Sequence, residues 1–153
     1  MRRFLLLLFL FPALTLAKSY TTPGTSIAVN ILPDGFVTFA ENITFDFSGS
    51  YTFAYRDITL QNTNIDYIQV LEKGVPFSQS SSHNAGTYEI TGSTRITWYY
   101  QARDERRTFT LRYRLRDTVT AYTDVAEFYW KVWSEGWDKS LDYLNVKVYL
   151  PLP

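Results

Sequence analysis

Hydrophobic and polar residues alternate with period two along nearly the whole chain, the signature of β-strands with one dry face. Ile27, Val29 and Ile31 fall on one side of the first such run, with Ala28, Asn30 and Leu32 on the other. Pro33-Asp34-Gly35 follows, a turn in which proline presets φ and glycine accepts positive φ. Val37, Phe39, Ile43, Phe45 and Phe47 then alternate against Thr38, Asn42, Thr44 and Asp46, which predicts a hairpin. Ala40 and Glu41 interrupt the polarity without changing the phase, and a bulge is expected beside them.

Further strands are predicted over 51–60, with mixed faces, over 65–72, and as a pair over 88–90 and 95–101 split by Gly92. The clearest run sets Phe109, Leu111, Tyr113 and Leu115 against Thr108, Thr110, Arg112, Arg114 and Arg116. Ala126, Phe128, Trp130 and Val132 alternate with Glu127, Tyr129, Lys131 and Trp133, although a short helix around 122–127 also fits. Leu144, Val146, Val148 and Leu150 close the pattern. About eight or nine short strands, each with one wet face, predict an all-β antiparallel sandwich of immunoglobulin-like type.

The first 17 residues do not belong to that domain. Arg2 and Arg3 precede an apolar run over 4–11, Pro12 interrupts it, and Thr15-Leu16-Ala17 offers small residues for a peptidase. The run is shorter than the roughly 20 residues of a spanning helix. A cleaved signal peptide over 1–17 and an extracytoplasmic domain over 18–153 are expected. Cleavage leaves 136 residues, enough for one core, with 13 basic and 15 acidic side chains. That balance argues against nucleic acid and against a polybasic membrane binder. The absence of cysteine removes disulfides and thiolate metal sites.

Several stretches resemble one family: Asp34-Gly35 leading to Glu41-Asn42-Ile43-Thr44-Phe45; Tyr55-Arg56-Asp57-Ile58; Arg95-Ile96-Thr97-Trp98; Arg107-Thr108-Phe109 with Arg112-Tyr113; Asp124-Val125-Ala126-Glu127 with Tyr129-Trp130-Lys131; Gly136-Trp137-Asp138; and Leu150-Pro151. In this order they are similar to domain of unknown function 2207, the N-terminal extracytoplasmic part of predicted prokaryotic membrane proteins. The resemblance implies a signal peptide, a β-sandwich outside the membrane and transmembrane helices further on. It implies no activity. Membrane attachment is therefore expected only through segments beyond Pro153.

Candidate chemistry is sparse, and no enzyme activity or cofactor is expected. His83 stands beside Ser80, Ser81 and Ser82, but one polar loop does not supply the rigid geometry of a hydrolase. Glu41, Glu89, Asp124 and Glu127 are the carboxylates a glycosidase pair would need. Asn62, Asn64 and Asp66, and Asp104 with Glu105, offer oxygens for calcium without a recognised loop spacing, and turn chemistry explains them as well.

Surface binding is the stronger expectation. Arg112, Arg114 and Arg116 stand about 6.8 Å apart on one strand face, able to meet an anionic polymer or the carboxylates of neighbouring strands. Glu127 or Asp57 are plausible partners, and charge balance favours this internal pairing. The chain holds 12 Tyr, 11 Phe and 4 Trp. Trp98 and Trp130 share apolar phases and are assigned to the core. Tyr99, Tyr129 and Trp133 fall on the opposite phases, and Trp137 lies in a turn, so these four are candidate contact residues. Asn42-Ile43-Thr44 is a glycosylation sequon. The expected role is a non-catalytic interaction or sensing module for a protein or cell-envelope glycan. The alternative is a carbohydrate-binding or glycan-processing domain.

Overall fold

The computed structural model describes residues 18–60, 63–92, 94–133 and 139–151. In chain order its strands are β1 (Ser19–Ile31), β2 (Val37–Ser48), β3 (Ser50–Asp57), β4 (Asn64–Glu72), β5 (Val75–Pro76) and β6 (Ser78–Gln79). They continue with β7 (Thr87–Thr91), β8 (Arg95–Arg103), β9 (Arg106–Arg116), β10 (Val119–Ala121), β11 (Ala126–Phe128) and β12 (Leu144–Tyr149). The protein is all-β among the described residues, and no helix is long and apolar enough to cross a membrane. The predicted signal peptide lies outside the described residues.

The strands form a six-stranded sheet, β12-β1-β2-β9-β4-β5, a four-stranded sheet, β3-β8-β7-β6, and the separate hairpin β10-β11. One long ribbon joins the two large sheets. β2 pairs with β9 in the first, and their continuations β3 and β8 pair in the second. The corner is a single residue on one side, Gly49 at φ 89°, between Ser48 and Ser50. On the other side Asp104, at φ 49°, turns β8 into β9. The two corners grip each other: Gly49 N–H donates to Asp104 Oδ1 (2.6 Å), and Asp104 N–H to Gly49 O (3.2 Å). Strands that switch sheets at a corner let one alternating pattern line both inner faces.

Those inner faces meet as an aromatic core. Phe45 and Phe109 from the larger sheet surround Trp98, with ring centroids 6.4 and 5.7 Å away, and Phe109 also lies 4.7 Å from Tyr100. The alternating positions Val37, Phe39, Ile43, Phe45 and Phe47 of β2 and Phe109, Leu111, Tyr113 and Leu115 of β9 are all buried. Around Phe39 the covering layer belongs to neither large sheet. Residues 128–133 cross there as a strap, with Phe128 and Trp130 6.5 and 5.8 Å from the Phe39 ring.

The predicted Pro33-Asp34-Gly35 turn forms, with Gly35 at φ 83° and Asp34 Oδ1 accepting from Phe36 N–H at 3.2 Å. Several details differ from the sequence pattern. Among the described residues twelve strands replace eight or nine because β5, β6, β10 and β11 have only two or three residues each. Two pairings are parallel, β1 with β12 and β6 with β7. β2 runs through Ala40 and Glu41 in unbroken register, and the extra residues lie in β1, β8 and β4 instead. In β4 the shift between Asp66 and Gln69 contains Tyr67 at φ 48°. Residues 122–125 form the turn of β10-β11, closed by Tyr122 N–H to Val125 O at 2.7 Å, where a helix was an option. Beyond Phe128 the strand does not continue, so Trp130 is half-buried on the strap, while Trp98 is fully buried.

Candidate functional site

The most elaborate polar arrangement is internal. Glu41 sits on the core phase of β2 with no exposure, and Arg56 of β3 reaches it from the other sheet with 4%. Arg56 Nε donates to Glu41 Oε2 at 3.0 Å and Nη2 to Oε1 at 3.4 Å. Tyr113, across from Phe39 on β9, donates its hydroxyl to the same Oε1 at 2.6 Å. Burial, followed by the Glu41 charge, pushes the Tyr113 phenol well above its ordinary value. Arg56 Nη2 also donates to Val132 O at 2.9 Å, and its guanidinium carbon lies 5.0 Å from the Trp133 ring. One side chain therefore ties the larger sheet, β3 and the strap together. Three of the stretches that carry the family resemblance supply Glu41, Arg56 and Tyr113. The sequence signal for Glu41 was a charge on an otherwise apolar phase. Arg56 gave no signal, because its strand has mixed faces.

The arginine stripe is engaged at two of its three positions. Arg114 Nε and Nη2 donate to Asp66 at 2.8 and 3.1 Å, and Arg116 Nη2 lies 2.6 Å from Asp66 Oδ2. Both guanidinium groups also stand over Phe36, at 4.7 and 5.1 Å. Arg112 is exposed, opposite Ala40 and Gln69. The carboxylate differs from the expected Glu127 or Asp57. β11 joins neither large sheet, and Asp57 is held bidentately by Arg95 at 2.8 and 2.7 Å.

Hydrogen bonds from Arg114 hold the Asp66 carboxyl below its ordinary value, and those from Arg95 do the same for Asp57. A carboxyl depressed in the folded state stabilises the fold above its unfolded pKa and loses that contribution as pH falls through the folded value. Stability is accordingly expected to decline below about pH 4. Asp66→Asn should flatten part of that decline in urea midpoints measured from pH 7 to pH 2.

Tyr99 is half-buried, although its phase suggested a free ring. His83 stacks on it with centroids 4.6 Å apart, and Tyr99 Oη donates to Glu89 Oε1 at 2.5 Å. Burial first, then that bond to Glu89, raise its phenol to about 12. His83 Nε2 lies 3.3 Å from the same carboxylate oxygen. The neighbouring serines serve the loop backbone: Ser80 Oγ accepts from Ser82 N–H at 3.2 Å, and Ser82 Oγ from Asn84 N–H at 3.5 Å. The histidine and serines thus form no nucleophile–base pair. The carboxylates do not converge either. Glu41 is sealed by Arg56, Glu89 is engaged by Tyr99, and Asp124 and Glu127 are exposed on the hairpin.

Tyr129 is 74% exposed, whereas Trp133 is half-buried on Arg56. Trp133 faces inward because the strap is not a strand, and the alternation that holds through Val132 breaks at Trp133. Trp137 and Asn62 lie outside the described residues. Asn42 is part of a cross-strand ladder on the outer face, donating to Ser26 Oγ (3.3 Å) and accepting from Thr110 Oγ1 (2.7 Å). β12 departs most from expectation. Leu144, Val146, Val148 and Leu150 form its predicted apolar face, yet they are 37–72% exposed. β12 is the edge of the larger sheet, paired with β1 alone.

Residues 23–152 match the family described as the N-terminal domain of a predicted membrane protein, DUF2207. The chain belongs to this family. No curated protein matches it.

Proposed function

We propose that this DUF2207 domain is a non-catalytic extracytoplasmic interaction module of a prokaryotic membrane protein. One observation carries the reading. Among the described residues, most of the exposed large apolar side chains fall between Tyr122 and Leu150, on the hairpin, the strap and β12. Single exposed apolar residues are ordinary, but Leu144, Val146 and Val148 lie side by side on one face of an edge strand, and an apolar row of that kind marks a surface that meets something. An edge strand adds unpaired backbone groups to the same stretch. The family description, a predicted membrane protein, supplies the setting. The predicted signal peptide over 1–17 supplies the side of the membrane.

The test is photo-crosslinking in intact cells, with the reactive residue placed at Tyr129 or Val148 and, as a control, at Thr52 on β3. A discrete adduct from the first two positions is expected, lost on changing Tyr122 and Val125 to serine. Those exposed replacements should move stability by no more than about 0.5 kcal/mol. Adducts from Thr52 alone, or from none of the positions, would refute the assignment. The glycan-binding alternative has a different surface. Phe53 is 53% exposed and its ring lies 6.5 Å from Tyr99 on the outer face of the smaller sheet. Binding to envelope polysaccharide that Phe53→Ala abolishes would favour it.

A further inference from the structure

We infer that the strap over residues 128–133, with its hairpin, is a separately opening layer of the fold, and that Arg56 is the latch that holds it shut. The inference concerns how this segment is fastened and does not depend on its meeting a partner.

The mode of attachment is the first ground. β10 and β11 pair with each other and join neither large sheet. Past Phe128 the strap carries no strand pairing at all. Backbone ladders are what make sheet strands open cooperatively with the rest of a domain. A segment held by side chains opens on its own, at a free energy below that of global unfolding.

The second ground is the chemistry of the holding contact. The guanidinium has a planar fork of five donors, so it can serve several acceptors at once. Here the edge formed by Nε and Nη2 faces Glu41, while Nη2 also donates outward to Val132 O at 2.9 Å. The Trp133 ring lies over the same group at 5.0 Å. Glu41 is fully buried, so it orients Arg56 without competition from water. The pair is thus a pre-set charged donor aimed at the strap's main chain. Charge-assisted bonds of this kind are about twice as strong as neutral ones. The apolar contacts of Phe128 and Trp130 with Phe39 complete the seat.

The third ground is what the strap covers. Phe39 is buried and stacked on Tyr113 at 4.8 Å, and Tyr113 bonds Glu41. Lifting the strap uncovers that ring pair and one flank of the ion pair, while β2, β9 and β3 keep their ladders.

The test combines a variant with a wild-type measurement, both on the full chain. Glu41→Leu with Arg56→Met replaces the pair by apolar side chains of similar size and leaves no orphaned charge. Hydrogen exchange of the amides in 126–133 should then accelerate by roughly tenfold or more, the consequence of losing one bond from a charged donor. Exchange in β2 and β9 should change only by the factor that the variant's shift in global stability sets, read from its urea denaturation, because their ladders are untouched. Trypsin should cut after Lys131 correspondingly faster. Unchanged strap exchange and cleavage would overturn the latch. Equal loss of protection in strap and sheets would overturn the separate opening. Should the double variant fail to fold, wild-type exchange in sub-denaturing urea decides. Strap amides are expected to exchange through an opening nearly independent of urea, and β2 amides through one that depends steeply on it. A shared urea dependence would refute the proposal.

Discussion

Trp98→Ala is expected to destabilise the protein by about 3–5 kcal/mol, a large part of the 5–15 kcal/mol typical of a domain. Trp98 is the largest fully buried side chain, and it stands where the two sheets touch. Its ring meets Phe45 and Phe109 of the opposite sheet, so truncation opens a cavity in the interface between layers. Neighbours can close such a cavity only by moving the ribbon that turns at Gly49 and Asp104. That corner is pinned from both sides, which limits the relaxation. The indole Nε1 is buried without a hydrogen-bond partner among the described residues. Trp98→Phe should therefore cost far less, since it removes an unsatisfied donor along with part of the ring. Urea denaturation of both variants checks the pair. A change below about 1 kcal/mol for Trp98→Ala would mean that the sheets do not pack through this residue. Trp130→Ala, on the half-buried strap, should fall between the two.

The alternation that marks β2 and β9 was legible because both faces of those strands have one destination each. The inner face goes into the core, under the smaller sheet and the strap, and the outer face carries ladders such as Ser26–Asn42–Thr110. The same rule misread the C-terminal part for a physical reason. Alternation reports a dry phase, but it cannot say whether the layer that dries it is a strand or a strap, or whether any layer is there. Trp130 and Val132 obey the alternation while lying outside any sheet. Leu144, Val146 and Val148 obey it while remaining exposed on an edge. The parallel pairing of β12 with β1 links residues about 120 positions apart, and local pattern carries no trace of it.

The candidate surface was legible only in part. Tyr129 was found because its neighbours Phe128 and Trp130 go inward. Tyr99 was placed on the outward phase, yet His83 covers it, and Trp133 was placed on that phase but turns inward onto Arg56. Arg114 and Arg116 meet a carboxylate on a neighbouring strand, but it is Asp66 and not the expected Glu127 or Asp57. The identity of Asp66 depended on the shift in β4 between Asp66 and Gln69, which sequence does not announce.

Replacing one member of the buried pair should have an effect as large as losing Trp98. Glu41→Ala leaves the Arg56 guanidinium in a site that water does not reach, and it strands the Tyr113 hydroxyl as well. Breaking a buried ion pair in this way costs about 3–5 kcal/mol, because the surviving charge keeps its desolvation penalty and loses its partner. Arg56→Met alone should cost a similar amount by stranding Glu41. Converting both residues to apolar ones is expected to cost far less than either single change, since both desolvated charges are removed together and only the stranded Tyr113 hydroxyl, at about 1–3 kcal/mol, is left without a partner. The double-mutant cycle would then show a coupling of several kcal/mol, far above the few tenths expected of independent sites. That outcome would assign the pair a role in specification. Glu41 lies on β2 and Arg56 on β3, beyond the corner at Gly49, and their bond defines how far the ribbon folds over. A chain with an apolar pair at both positions retains the driving force for collapse but loses the directional contact that selects one stagger between the sheets. Chemical-denaturation midpoints supply the energies, and the dispersion of amide resonances reports uniqueness. A single variant, Glu41→Ala, that costs less than about 1 kcal/mol would show that the carboxylate is within reach of solvent and that the pair is a surface bridge.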